Sequence, residues 1–137
     1  MDIEDAHKLK ILTTEETKTL LLGFFDESRK NRIIETLNIV SDVNEQIAYL
    51  RSSVIGKLID ECSKVFIENE ERILAGEFEG SLIKNITENT QQAYKNCSAT
   101  AVKKIYKSQE VLDIELAGYK IILTLLEHFI EAVLHPE

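Results

Sequence analysis

The sequence predicts an all-α fold, an irregular bundle of about five to seven helices with a long apolar C-terminal helix. Three observations lead there. Apolar residues recur at three- and four-residue intervals along most of the chain. The strict polar and apolar alternation of a half-buried strand never extends over more than a few positions. With one Pro and five Gly in 137 residues, little interrupts a helix once it has begun.

The first helical pattern, residues 1–10, places Ile3, Ala6 and Leu9 on one side and begins at Met1 without a capping signal. It reads as the end of a longer helix. Thr13 then offers an N-cap hydroxyl with Glu16 three residues on to complete a capping box, and Leu20, Leu21, Phe24 and Phe25 come next as a buried face. Asp26, Glu27 and Ser28 punctuate, and a second amphipathic helix runs over 32–40 through Ile33, Ile34, Leu37 and Val40. Asp42 caps a long helix reaching Asn69, in which Ile47, Leu50, Val54, Ile55, Leu58, Ile59, Cys62, Val65 and Phe66 keep the helical period. Gly76 and Gly80 break the next stretch into a helix end, a turn and a short helix. A polar helix over 87–107 turns Ala93, Tyr94, Cys97, Ala101, Val102 and Ile105 inward. Finally, 105–129 is the longest apolar helix signal, a central element for the others to pack against, stopped at Pro136.

No repeat, low-complexity tract or long linker divides the chain, so residues 1–137 form one helical domain. A net charge of -8 argues against a nucleic-acid backbone as the main partner. No apolar run reaches the roughly 18 residues of a membrane span, and no signal peptide is present. Cys62 and Cys97 lack CxxC spacing, which points to a reduced, cytoplasmic pair of small core residues; the sequons at Asn85 and Asn96 would matter only in a secreted protein. His7, His128 and His135 have no HExxH spacing and no adjacent His-Asp pair, and no GxGxxG, Walker or GxSxG motif occurs. Nothing here builds a metal site or a catalytic centre by itself.

Two groups of residues carry a resemblance. One comprises Phe66-Ile67-Glu68-Asn69, Ile73-Leu74-Ala75-Gly76-Glu77-Phe78, Ile105-Tyr106-Lys107-Ser108 with Val111, and Glu115-Leu116-Ala117-Gly118-Tyr119. The other is Asp2-Ile3-Glu4-Asp5-Ala6, similar to an Asp-Leu-Glu-Asp-Ala motif. Together they resemble the C-terminal helical region of bacterial dGTP triphosphohydrolases and related dNTP hydrolases of the HD superfamily, over most of the chain and weakly between Lys8 and Val54.

The resemblance implies a cytoplasmic parent enzyme that hydrolyses dGTP or another dNTP to deoxynucleoside and triphosphate, using a divalent metal such as Mg or Mn to activate water. The metal-ligating HD residues of that family would lie upstream, so this chain alone is not expected to be catalytic. It would close one side of the nucleotide pocket and supply contacts in a homo-oligomer, with nucleic acid entering only as a regulator of the parent. In the family a metal-ligating Asp, a Tyr four residues on and an Asp four further on share a helix face, since four residues advance only about 40°. Asp2 matches the last of these, which implies a hydrogen bond to the sugar 3′-OH.

The remaining candidates for substrate binding are Glu115, as acceptor for a base N–H, Tyr119, able to stack, and Lys103 and Tyr106, for triphosphate or base. The bland alternatives are an exposed helix-end carboxylate for Asp2, a salt bridge from Glu115 to Lys103 or Lys104, and a solvated Lys103. Arg51 is open between interface and phosphate roles. The competing function is a stand-alone α-helical protein-interaction domain without catalysis.

Overall fold

The computed structural model describes residues 2–106 and 109–135. The uncapped start at Met1, the Lys107-Ser108 part of the resemblance and the stop at Pro136 lie outside the described residues. Those described form seven α-helices and no strand: α1 Asp2–Lys8, α2 Thr14–Leu22, α3 Glu27–Ile39, α4 Val43–Glu68, α5 Glu70–Leu74, α6 Glu88–Thr100 and α7 Gln109–Leu134. A 3-10 turn, Leu82–Lys84, precedes α6, and a π-helical turn, Ala101–Ile105, comes directly after it.

The caps fall largely where side-chain chemistry puts them. Thr13 and Glu16 form the reciprocal capping box of α2, and the Asp42 carboxylate accepts from the Glu45 N–H to start α4. The second amphipathic helix begins earlier than expected, because Asp26 is a cap accepting from the Arg29 N–H and not merely punctuation. After α5, Gly76 (φ 74) and Gly80 (φ 86) take the left-handed backbone that turns the chain.

α4 is the spine. Ile47, Leu50 and Val54 on its inner face meet Leu21, Phe24 and Phe25 from α2 and the turn after it, Ile33 and Leu37 from α3, and Ile3 and Ala6 from α1. Ala93, Ala101 and Ile105 complete the core from α6 and the π turn. Tyr94 and Val102, expected inward, are 40% and 48% exposed; Val102 lies in the π turn, which rotates the residues beyond Thr100 away from the α-helical period.

The apolar C-terminal stretch departs from its expected place. Among the described residues its helix spans Gln109–Leu134, and it is not the centre of this bundle. Val111 touches the core, but thirteen large apolar side chains from Leu112 to Leu134 are each more than two-fifths exposed. On α4 itself, Ile55, Ile59 and Phe66 also face outward, at 43%, 60% and 45% exposure.

A buried carboxylate ties the second half of the chain to the spine. Glu61 accepts from the Thr87 N–H at 3.1 Å, the Thr87 hydroxyl at 2.7 Å and the Thr90 hydroxyl at 2.8 Å, and pairs with Lys57 at 2.8 Å. It caps α6 from another helix, where Thr87 makes no side-chain cap of its own. Burial pushes its pKa up, but the hydrogen bonds from Lys57, Thr87 and Thr90 outweigh that and leave it below the usual 4.5. Glu61 therefore stabilises the fold above about pH 4.5, and the contribution is lost as pH falls through the lower folded value. Glu61→Ala should cost about 2–3 kcal/mol at pH 7, read from the urea midpoint, and the deficit should shrink near pH 3. An unchanged midpoint at pH 7 would remove Glu61 from this role.

Candidate functional site

At seven residues, α1 is too short to persist by propensity. It is docked by Ile3 and Ala6 and by Glu4, only 6% exposed, which sits on the buried side of the helix. The Glu4 carboxylate pairs with Lys8 at 2.8 Å and, through its other oxygen, with Arg51 of α4. The hydrogen bond from Lys8 holds it below the usual carboxylate range; burial opposes this and Arg51 adds to it.

With Glu4 fixed inward, Asp2 faces out along the mouth of a cleft between α1, α4 and α6. Its Oδ2 accepts a hydrogen bond from the Tyr106 hydroxyl at 2.8 Å. The π turn delivers Tyr106: the Tyr106 N–H reaches back five residues to the Ala101 carbonyl at 3.1 Å, with Ala101 and Ile105 buried as its footing. The hydrogen bond to Asp2 and the Asp2 charge raise the phenol pKa above the ordinary 10, with smaller contributions from burial and from the charge of Glu115. Glu115 thus acts electrostatically on the same phenol although it stands on exposed α7.

The cleft holds about 260 Å³. Leu21, Phe24, Val54 and Leu58 make an apolar floor, and Asp2, Glu4, Arg51, Tyr94, Ser98 and Tyr106 contribute its polar parts. The buried Nε of Arg51 has no hydrogen-bond partner among the described residues. The arrangement combines a carboxylate able to accept from a hydroxyl, a guanidinium with donor capacity left for an anion, and two phenol rings beside an apolar floor. Cys97, also in the lining, is unsuited to nucleophilic work: burial pushes its thiol up to about 11.

Of the residues singled out from sequence, the structure joins Asp2 and Tyr106 directly. Lys103, Glu115 and Tyr119 are exposed and outside the cleft lining. Among the described residues no ion pair joins Glu115 to Lys103 or Lys104; Lys104 instead reaches Glu16 at 2.7 Å and contributes to holding that carboxyl at about 2. Sequence reasoning misses Glu4, Tyr94 and Ser98 as site residues. For Glu4 the one local signal is its position between Ile3 and Ala6, with Lys8 one turn on; its pairing with Arg51, 47 residues away, leaves no local trace. Among the described residues no three His, Cys, Asp or Glu side chains gather to hold a metal ion, so these residues do not fit the divalent metal implied by the resemblance.

No family model matches the chain. It is similar to the deoxyguanosinetriphosphate triphosphohydrolase-like proteins of Listeria monocytogenes and Listeria innocua, at 30% identity over 145 aligned positions in each case. Those alignments include 98% of this chain and 30% of each relative, so the chain spans about 30% of the length of the curated relatives it matches.

Two measurements test the site. In an absorbance titration of the tyrosines, Asp2→Asn should lower the raised pKa of the Tyr106 phenol, by removing the anion that disfavours phenolate; an unmoved titration would break the pairing. At pH 8 Cys97 should alkylate on the order of a hundredfold more slowly in the folded chain than in urea. Equal rates would contradict the burial of its thiol.

Proposed function

We propose that this chain is the C-terminal helical region of a dGTPase-like triphosphohydrolase of the HD superfamily, and that it forms one wall of the deoxynucleotide pocket. The juxtaposition of Asp2, Tyr106 and Arg51 around one cleft carries this reading. A deoxynucleotide needs three kinds of recognition in one place, and the cleft offers all three. Asp2 can accept from a sugar hydroxyl, the spare donors of Arg51 suit an anionic phosphate, and the phenol faces of Tyr94 and Tyr106 suit a base.

The similarity to proteins named as deoxyguanosinetriphosphate triphosphohydrolase-like supports the same reading. Hydrolysis of dGTP or another dNTP to deoxynucleoside and triphosphate would belong to the longer, cytoplasmic, homo-oligomeric enzyme. The divalent ion that activates water there would be held by residues outside this chain. Within the chain Asp2 binds and orients the sugar, Glu4 holds Arg51 in place, and Tyr106 orients the Asp2 carboxylate. Glu115 and Tyr119 at the start of the apolar α7 extend the wall, with Lys103 a more distant cation for the triphosphate.

The alternative, a protein-interaction domain without catalysis, draws on the exposed apolar surface of α7. It does not account for a carboxylate, a phenol and an underused guanidinium meeting at one cleft.

In the full-length enzyme Asp2→Ala should lower triphosphate release from dGTP by roughly tenfold to a hundredfold while the unfolding midpoint changes little, as for loss of one charge-assisted hydrogen bond to substrate. Unchanged turnover at unchanged stability would take Asp2 out of the pocket.

A further inference from the structure

The side of α4 that turns away from the cleft borders a second concavity. At about 100° per residue, Ser53, Gly56, Lys57 and Asp60 fall on one arc of the helix, roughly opposite the arc that lines the cleft through Arg51, Val54, Ile55 and Leu58. Asp26, Arg29 and Arg32, at the start of α3, close the other side. The groove between the two helices holds about 390 Å³, inside the range of roughly 300–1,000 Å³ usual for small-molecule sites.

Its charges are only partly matched from within the chain. Of the four arginines, Arg51 is paired with Glu4, and Arg72 donates to Asn69 and to the Glu77 carbonyl. Arg29 and Arg32 are exposed and have no side-chain hydrogen bond or ion pair among the described residues, although Asp26 and Asp60 line the same groove. Asp26 has one oxygen taken up by the Arg29 N–H at 2.8 Å, as the cap of α3. Lys57, the third cation, is held by Glu61 at 2.8 Å. Two guanidiniums therefore remain free, three residues apart on one face of α3, each with a fork of donors that suits two oxygens of an oxyanion.

Gly56 adds an independent sign. It lies within the 26-residue α4, where glycine is a poor helix former, and a Cβ built there meets nothing within 4 Å. Packing among the described residues gives no reason for bare backbone at this point. A molecule lying against α4 does.

Charge selects the anion. Two free guanidiniums match a phosphate monoester, which carries roughly −1.5 to −2 at pH 7. A triphosphate brings more negative charge than they can balance, and the excess would face Asp26 and Asp60. The same two carboxylates, with the Ser53 hydroxyl, can accept from hydroxyl groups on the molecule that carries the phosphate. We propose that the groove between α3 and α4 binds the phosphate monoester of a small polyol. The site shares no residue with the cleft and does not rest on the nucleotide reading, so either can fail alone.

Isothermal titration calorimetry of the 137-residue chain at low ionic strength and pH 7 tests it. Glycerol 3-phosphate should saturate a single site, inorganic phosphate should bind there about threefold or more weakly, and glycerol should give no heat. Arg29→Ala combined with Arg32→Ala should weaken glycerol 3-phosphate by roughly tenfold or more, with the helical circular dichroism unchanged. Gly56→Leu, which fills the groove with a good helix former, should weaken it comparably without lowering the unfolding temperature. Lys120→Ala, which removes an exposed cation on α7, should leave binding as it is. Absence of saturable heat with glycerol 3-phosphate overturns the proposal, and so does binding undiminished by loss of the two arginines. Equal affinity for inorganic phosphate assigns the groove to the free anion and overturns the polyol. Tighter binding of inorganic triphosphate than of the monoester overturns the charge match.

Discussion

The carboxylate of Glu4 is the contact on which the candidate site depends. It is buried, shared between Lys8 of its own helix and Arg51 of the spine, and it joins a seven-residue helix to a twenty-six-residue one. An ion pair of this kind contributes little net stability against an apolar replacement, because each charge must first leave water. Its effect is to fix orientation. With Glu4 turned inward the Asp2 carboxylate meets Tyr106, and one side of the Arg51 guanidinium is occupied while Nε keeps its capacity beside the cleft.

The two buried carboxylates divide the architecture between them. Glu61 secures the start of α6, and α6 leads through the π turn to Tyr106; Glu4 secures α1, and α1 begins with Asp2. The hydrogen bond between Asp2 and Tyr106 therefore closes a loop of elements that are each anchored independently on α4. A π turn at the join suits this task. Its extra residue per turn swings Tyr106 toward α1 without breaking the backbone ladder, at the expense of exposing Val102.

The helices with local signatures are legible in the sequence. The capping box at Thr13 and Glu16, the Asp42 cap, and the glycine break at Gly76 and Gly80 each depend on residues within a few positions of one another. Asp26 is equally local, yet in sequence it reads as punctuation. The π turn has no pattern that separates it from an α-helix, so the inward assignment of Val102 fails. Glu4 with Arg51, and Glu61 with Thr87 and Thr90, pair across tens of residues and are invisible for that reason. The largest discrepancy concerns α7. Periodicity states that a helix must bury an apolar face, but not which surface covers it, and the core that Ile121, Leu125 and Phe129 are expected to join is filled without them by the short helices around α4.

The account is tested most directly by a crystal structure of the longer protein with a slowly hydrolysed dGTP analogue bound. It predicts the sugar 3′-OH within hydrogen-bond distance of the Asp2 carboxylate, a phosphate oxygen on Arg51, and Glu4 still paired with Arg51. A ligand bound elsewhere, with the cleft between α1, α4 and α6 empty and the bond from Tyr106 to Asp2 unchanged, would contradict it.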